Sequence, residues 1–131
     1  MSGIGDLYQK ADWKAEKHAP VIDCPDSVAT GTPVVVTASV GKEIAHPNTT
    51  EHHIAWIELH FKPDSEKFAH QISVNRFTAH GESAKGANEG AAFTEPVCQT
   101  TVKFKESGIL FGTSYCNIHG LWETEKRIEV E

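Results

Sequence analysis

The sequence predicts an all-β protein, an immunoglobulin-like antiparallel sandwich behind a short N-terminal segment of helix and loop. Three observations carry this. Several short segments alternate apolar and polar side chains, the period of a half-buried strand. Between them lie turn signals such as "PDSEK" and "ESG". Beyond residue 20 no stretch sustains a helical period.

Taken in order, residues 1–17 are polar and predict a short helix plus loop. "TPVVVTASVG" follows as a strand, with Val34, Val36, Ala38 and Val40 on one face and Val35, Thr37 and Ser39 on the other. In "HHIAWIELHFK", His53, Ala55, Ile57, Leu59 and Phe61 share a face, opposite Ile54, Trp56, Glu58 and His60. "PDSEK" then predicts a hairpin turn into a second long strand, "FAHQISVNRFTAHG", with His60 and His70 facing each other as a solvent-exposed pair. "GESAKGANEGAA" is Gly-rich and reads as a long loop. "VCQTTVKFK", "GILFGTSYC" and "KRIEVE" are the last three strands, joined by "ESG" and "NIHGLWETE".

Composition narrows the function. The 131 residues suffice for one domain, 1–131, with a core that needs no staples. A net charge of −6 argues against a general nucleic-acid binder. No apolar run reaches the ~18 residues of a membrane span, and the N-terminus has no apolar core of a signal peptide. A cytoplasmic location, where thiols stay reduced, is therefore expected. Cys24, Cys98 and Cys116 form an odd set with no close pair, a poor disulfide framework. Eight histidines is a high count for this length and directs attention to metals.

Four histidines fall near loop ends: His18 in "EKHAP", His46 before Pro47, His52 at the head of a strand, and His119. Cys116 precedes His119 by three positions in "SYCNIHGLWE", a spacing that lets both reach one ion from a tight turn. Singly, each reading is weak. A loop histidine is far more often solvated than ligating, and a lone cysteine is more often a small buried hydrophobe. Together, imidazole and thiolate suit iron, copper or zinc rather than calcium or magnesium. His53 has the opposite strand parity to His52, which disfavours both serving one ion. His80 has no spacing partner, Cys24 and Cys98 read as inert, and Trp13, Trp56 and Trp122 read as packing residues. A cupredoxin-like copper protein is the main competitor, being a sandwich with Cys and His between its last strands. It normally also uses an axial Met, and the only methionine here is Met1.

"EKHAP", "HPNTTEHH" and "SYCNIHGLW", with "FTAHGES" and the "ESG" turn, resemble the superoxide reductase family in its one-iron form, the neelaredoxins. The resemblance covers nearly the whole chain. The N-terminal cysteine-rich iron module of the two-iron relatives has no counterpart in residues 1–23, which hold no cysteine. The resemblance implies a sandwich with one mononuclear iron per chain, cycling between Fe2+ and Fe3+. It implies His18, His46, His52 and His119 as equatorial ligands and Cys116 as the axial thiolate, with His119 binding through Nδ1 and the others through Nε2. It matches Glu16 to the carboxylate that fills the sixth position in the oxidised state, and Lys17 to the lysine beside the open position. Ala19 departs from the more usual valine.

That family reduces superoxide by one electron to hydrogen peroxide and releases no dioxygen. The implied partners are superoxide and an electron donor such as rubredoxin, and the implied assembly is a homotetramer. The amides of Ile118 and His119 are expected to hydrogen-bond the sulfur and tune it.

Overall fold

A computed structural model describes residues 3–131. Alternation becomes two sheets here because each strand buries one face against the other layer. In chain order the strands are β1 (Val21–Asp23), β2 (Ser27–Val28), β3 (Pro33–Ser39), β4 (Ile54–Pro63), β5 (His70–Arg76), β6 (Val97–Lys103), β7 (Gly108–Cys116) and β8 (Gly120–Val130). One sheet runs β1-β3-β6 and the other β2-β8-β7-β4-β5. All pairings are antiparallel except the short one between β2 and β8. A single 3₁₀ turn, Ile4–Leu7, is the helical part of the N-terminal segment among the described residues. The predicted all-β sandwich is what forms.

The core lies between the sheets. Val36 and Ala38 of β3 meet Ile57 and Leu59 of β4, Leu110 of β7 and Ile128 of β8, all fully buried. Each large aliphatic side chain so removed from water contributes roughly 1.5–3 kcal/mol. Val35, on the other face of β3, is 48% exposed, as its parity requires. Among the described residues no helix is long and apolar enough to cross a membrane.

Four details differ from the sequence reading. Ile54 was placed on the face opposite Ile57, yet both are buried. A register shift between Ile54 and Trp56 against β7 puts an extra residue into β4 and restores Ile54 to the core. β5 is shorter than predicted, ending at Arg76. β8 begins at Gly120, so the connection after Cys116 is only Asn117–His119 and not the longer "NIHGLWETE". Gly120 has φ +84°, a left-handed conformation that reverses the chain at once. Finally, His60 and His70 do not face each other. A second register shift, after Leu59, pairs His60 with Gln71 and Phe61 with His70.

Candidate metal centre

The β7–β8 turn, the loop before β1 and the β3–β4 connection meet at one end of the sandwich, and each brings donors. One donor atom from each of His18, His52, Cys116 and His119 lies within 4.8 Å of all the others. His46 joins them through Nε2, 3.4 Å from the Cys116 sulfur. The four imidazoles form a near-square. Around the cycle His18–His46–His52–His119 the ring centroids are 4.9, 4.7, 5.0 and 4.6 Å apart, and across the His18–His52 diagonal 6.3 Å. The thiol closes the set, with Sγ 3.8 Å from His119 Nδ1.

These spacings fit a metal ion. Two nitrogens each about 2.1 Å from one ion and at right angles would be about 3.0 Å apart. His18 Nε2 and His119 Nδ1 are 3.1 Å apart. His52 Nε2 is buried with no hydrogen-bond partner. A buried orphan nitrogen costs about 1–3 kcal/mol, a penalty that a metal ligand bond removes. Four imidazoles and one thiol suit iron and leave an octahedral ion one further position.

Two of the rings, His18 and His46, are held through their second nitrogen, and His52 and His119 through the backbone that carries them. His18 Nδ1 bonds Glu16 Oε1 at 2.5 Å, and its backbone N–H donates to Glu16 Oε2 at 2.9 Å. His46 Nδ1 bonds the Pro47 carbonyl at 2.6 Å. Thr49 fixes the backbone of His52 from both sides: its hydroxyl accepts from His52 N–H at 3.0 Å, and its own N–H donates to the His52 carbonyl at 2.9 Å. Asn117 ties the Cys116–His119 turn to the head of β4, exchanging bonds with His53 and donating through Nδ2 to the Glu51 carbonyl. Such outer contacts set ring orientation and ligand basicity. The His119 amide donates to the Cys116 sulfur at 3.3 Å. Of the two amides expected at the sulfur it is the one that bonds there; among the described residues that of Ile118 does not.

Burial lowers His46 to about 4, with the neighbouring His18 and His52 rings and Lys17 adding to it against the Pro47 bond. Burial likewise lowers His52, helped by His119, His18 and Lys17. Both rings are thus neutral near pH 7 and present a lone pair, the form a metal requires. Burial pushes the Glu16 carboxyl up, but hydrogen bonds from the His18 ring and amide outweigh it and hold the group below its ordinary value. Glu16 therefore sits as an ionised carboxylate on the outer side of His18, away from the donor cluster. Lys17 is half-buried beside it.

The sequence reading missed the role of a second pair. His53 turns away from the donors, as its parity implied, but stacks on His80 with centroids 3.5 Å apart. His80 is buried, not a free loop residue, and its Nδ1 bonds Glu82. The Gly-rich segment is also not free. Asn88 and Thr50 exchange two hydrogen bonds, and Thr50 Oγ1 donates to the His80 carbonyl, bracing the loop that carries His46 and His52. Only the "FTAHGES" motif, noted for its resemblance, signalled any of this. Cys24 and Cys98 lie away from the centre as free thiols that burial pushes up.

An all-β sandwich that gathers four imidazoles and one thiol at one end has the donor set of a non-haem iron protein rather than of a two-histidine copper protein. Residues 10–125 match the model of the family described as desulfoferrodoxin, and the chain belongs to that family. It is 52% identical over 126 residues to a neelaredoxin of Megalodesulfovibrio gigas, covering 96% of this chain and 97% of the relative. It is 50% identical over 126 residues to the superoxide reductase of Pyrococcus furiosus, covering 96% and 99%. Among solved structures, the superoxide reductase (neelaredoxin) of Archaeoglobus fulgidus in the reduced form superimposes with a TM-score of 0.88. That pair is 52% identical and covers 94% of this chain and 98% of the other.

Proposed function

We propose that the protein is a superoxide reductase, reducing superoxide to hydrogen peroxide at one mononuclear iron held by His18, His46, His52, His119 and Cys116. The observation that carries this reading is the square of four imidazoles closed by one thiol. Iron bound there would supply, between Fe2+ and Fe3+, the one electron that with two protons turns superoxide into hydrogen peroxide.

The chain's own residues do the rest. Four neutral rings bring no charge and one thiolate brings a single negative one, so a ferrous site stays net positive and favours an anion. Lys17 adds positive charge at this end of a chain whose net charge is −6, and so draws superoxide in locally. Glu16, whose carboxylate rests on the His18 ring and amide, would lend the oxidised iron a carboxylate oxygen as a further ligand. The fold around these residues, one domain over 1–131, holds them in place. His119 is solvent-exposed, which gives the centre an open side.

The electron donor we assign is rubredoxin or a similar small carrier, the assembly a homotetramer and the compartment the cytoplasm. The family resemblance supports the first two, and the free thiols of Cys24, Cys98 and Cys116 support the third. A cupredoxin-type copper site is disfavoured, since it needs two histidines and four converge here.

Elemental analysis of protein purified with and without air, joined to pulse radiolysis, tests the reading. The expected result is about one iron per chain and rapid loss of superoxide without dioxygen release. Stoichiometric zinc or copper with no iron under both conditions would overturn it.

A further inference from the structure

Trp122 is one of three tryptophans, and nothing in the sequence distinguishes it from a packing residue. In the structure it touches two of the donor histidines at once. Its ring lies flat against His18, with centroids 5.0 Å apart and planes 12° from parallel. Its indole Nε1–H donates to the His119 carbonyl at 3.3 Å. It is 9% exposed, so both contacts are made out of water.

Its neighbours repeat the pattern. On β8, Trp122 stands directly across from Ser114 on β7. Ser114 is fully buried, and its hydroxyl donates to the His18 carbonyl at 3.4 Å. One cross-strand pair therefore holds His18 by ring and by backbone. The His119 carbonyl has a second donor too, Gln9 Nε2 at 2.8 Å. Gln9 is itself fixed by backbone bonds to Leu121 and Glu123, which lay the N-terminal segment along β8.

We infer that Trp122 is a positioning residue of the metal centre, setting the ring plane of His18 and, jointly with Gln9, the backbone of His119. This rests on the ligand assignment proposed above. The physical reason is geometric and electrostatic. The donor nitrogens of the two histidines that Trp122 spans, His18 Nε2 and His119 Nδ1, are 3.1 Å apart. A flat indole face removes the rotation of the His18 ring that would separate them. The same face attracts the partial positive charge that an imidazole gains on binding a cation. The indole N–H prevents the His119 carbonyl from swinging, and with it the turn that carries Nδ1.

The test compares Trp122→Phe, Trp122→Leu, Gln9→Ala and the double variant Gln9→Ala/Trp122→Phe. Three quantities are read: iron affinity by chelator competition, the position of the sulfur-to-iron absorption band, and the unfolding midpoint of the metal-free protein. Trp122→Phe keeps an aromatic face but loses the donor, and should weaken iron binding by about tenfold, the scale of outer-contact changes at metal sites. Trp122→Leu loses both and should weaken it further and shift the band. Gln9→Ala should cost less alone. Because Gln9 and Trp122 share one carbonyl, the double variant should lose more affinity than the two single effects combined.

Wild-type protein that takes up no iron would overturn the ligand assignment instead, and so is distinguishable. If wild type binds iron while Trp122→Phe and Gln9→Ala each stay within twofold of it, with the band unmoved, the inference is wrong. A fall in affinity that merely tracks the metal-free unfolding midpoint also refutes it. Should Trp122→Leu fail to fold, Trp122→Phe and Gln9→Ala still decide.

Discussion

The two ends of β4 carry the same residue type to opposite effect. At its head, His52 enters a cluster of four rings, and its buried Nε2 has no partner but the other donors. Near its tail, His60 is half-buried and His70, across the hairpin, is exposed. Their Nε2 atoms approach only Glu58 at 3.8 Å and Glu66 at 3.7 Å. The hairpin end is closed by exposed ion pairs, Arg127 with Asp64 and Glu129, whereas the head is closed by rings bonded to backbone and to one another. A histidine becomes a ligand candidate when three separate chain segments converge and bring its ring nitrogen against other donors. Abundance or proximity in sequence does not suffice.

The strongest way to break that comparison is Cys116→Ser. If the head of β4 is the metal centre, this change should abolish the sulfur-to-iron absorption band and lower superoxide reduction at least ~100-fold, beyond what an outer contact costs. Far-UV circular dichroism should stay that of the sandwich. Cys24→Ser and Cys98→Ser should leave band and activity in place, because neither thiol is near the donors. Bleaching by Cys24→Ser with an intact spectrum in Cys116→Ser would reverse the assignment.

A core substitution between the ends separates stability from chemistry. Leu59 is fully buried between the sheets. Leu59→Ala should cost about 2–5 kcal/mol in denaturant unfolding. Because Leu59 pairs with Gly112, four residues along β7 from Cys116, the absorption band of the folded fraction should not move. A shifted band would mean that the centre is set by core packing rather than by the loops and turn that carry its residues.

Much of this was legible in the sequence, and the limits are instructive. Cys116 and His119 could be read together because a turn of three residues leaves little freedom. His46 and His52 are six residues apart and His18 stands 28 residues before His46; their loop-end positions make them candidates, and the family resemblance joins them as one ligand set. What stayed hidden depended on partners across sheets. Ile54 reaches the core through a register shift against β7, and the register of β4 against β5, itself shifted after Leu59, sets His60 opposite Gln71 and not His70. Alternation within one strand cannot reveal an extra residue opposite another strand. His80 reads as a loop residue because its burial is supplied by His53 and Phe93, with which it stacks and bridges.

Lys17 tests the electrostatic side of the comparison at smaller scale. Its positive charge is among the causes that lower His46 and His52, which places it at the donor end. Lys17→Ala should leave the resting spectrum nearly unchanged and slow the second-order reaction with superoxide by about two- to tenfold at low salt. The wild-type rate should fall as ionic strength rises, and the variant's slope should be flatter, because salt screens a steering charge. Equal slopes in both proteins would show that Lys17 does not draw in the anion.

The smallest effect is expected at the other end of β4. His60 and His70 face no common point, since the register sets them opposite Gln71 and Phe61. Their side chains are 28% and 62% exposed, so each contact with Glu58 or Glu66 is a surface pair worth at most about 1 kcal/mol. The double variant His60→Ala/His70→Ala should therefore change unfolding free energy by no more than about 0.5 kcal/mol per site, as surface substitutions do. Iron content and the absorption band should match wild type. The same truncation at His52 should empty the centre, because there the lost imidazole is one of the converging donors. Iron loss from the hairpin variant would mean that the tail of β4 also binds metal, and that convergence of separate segments is not what distinguishes the two ends.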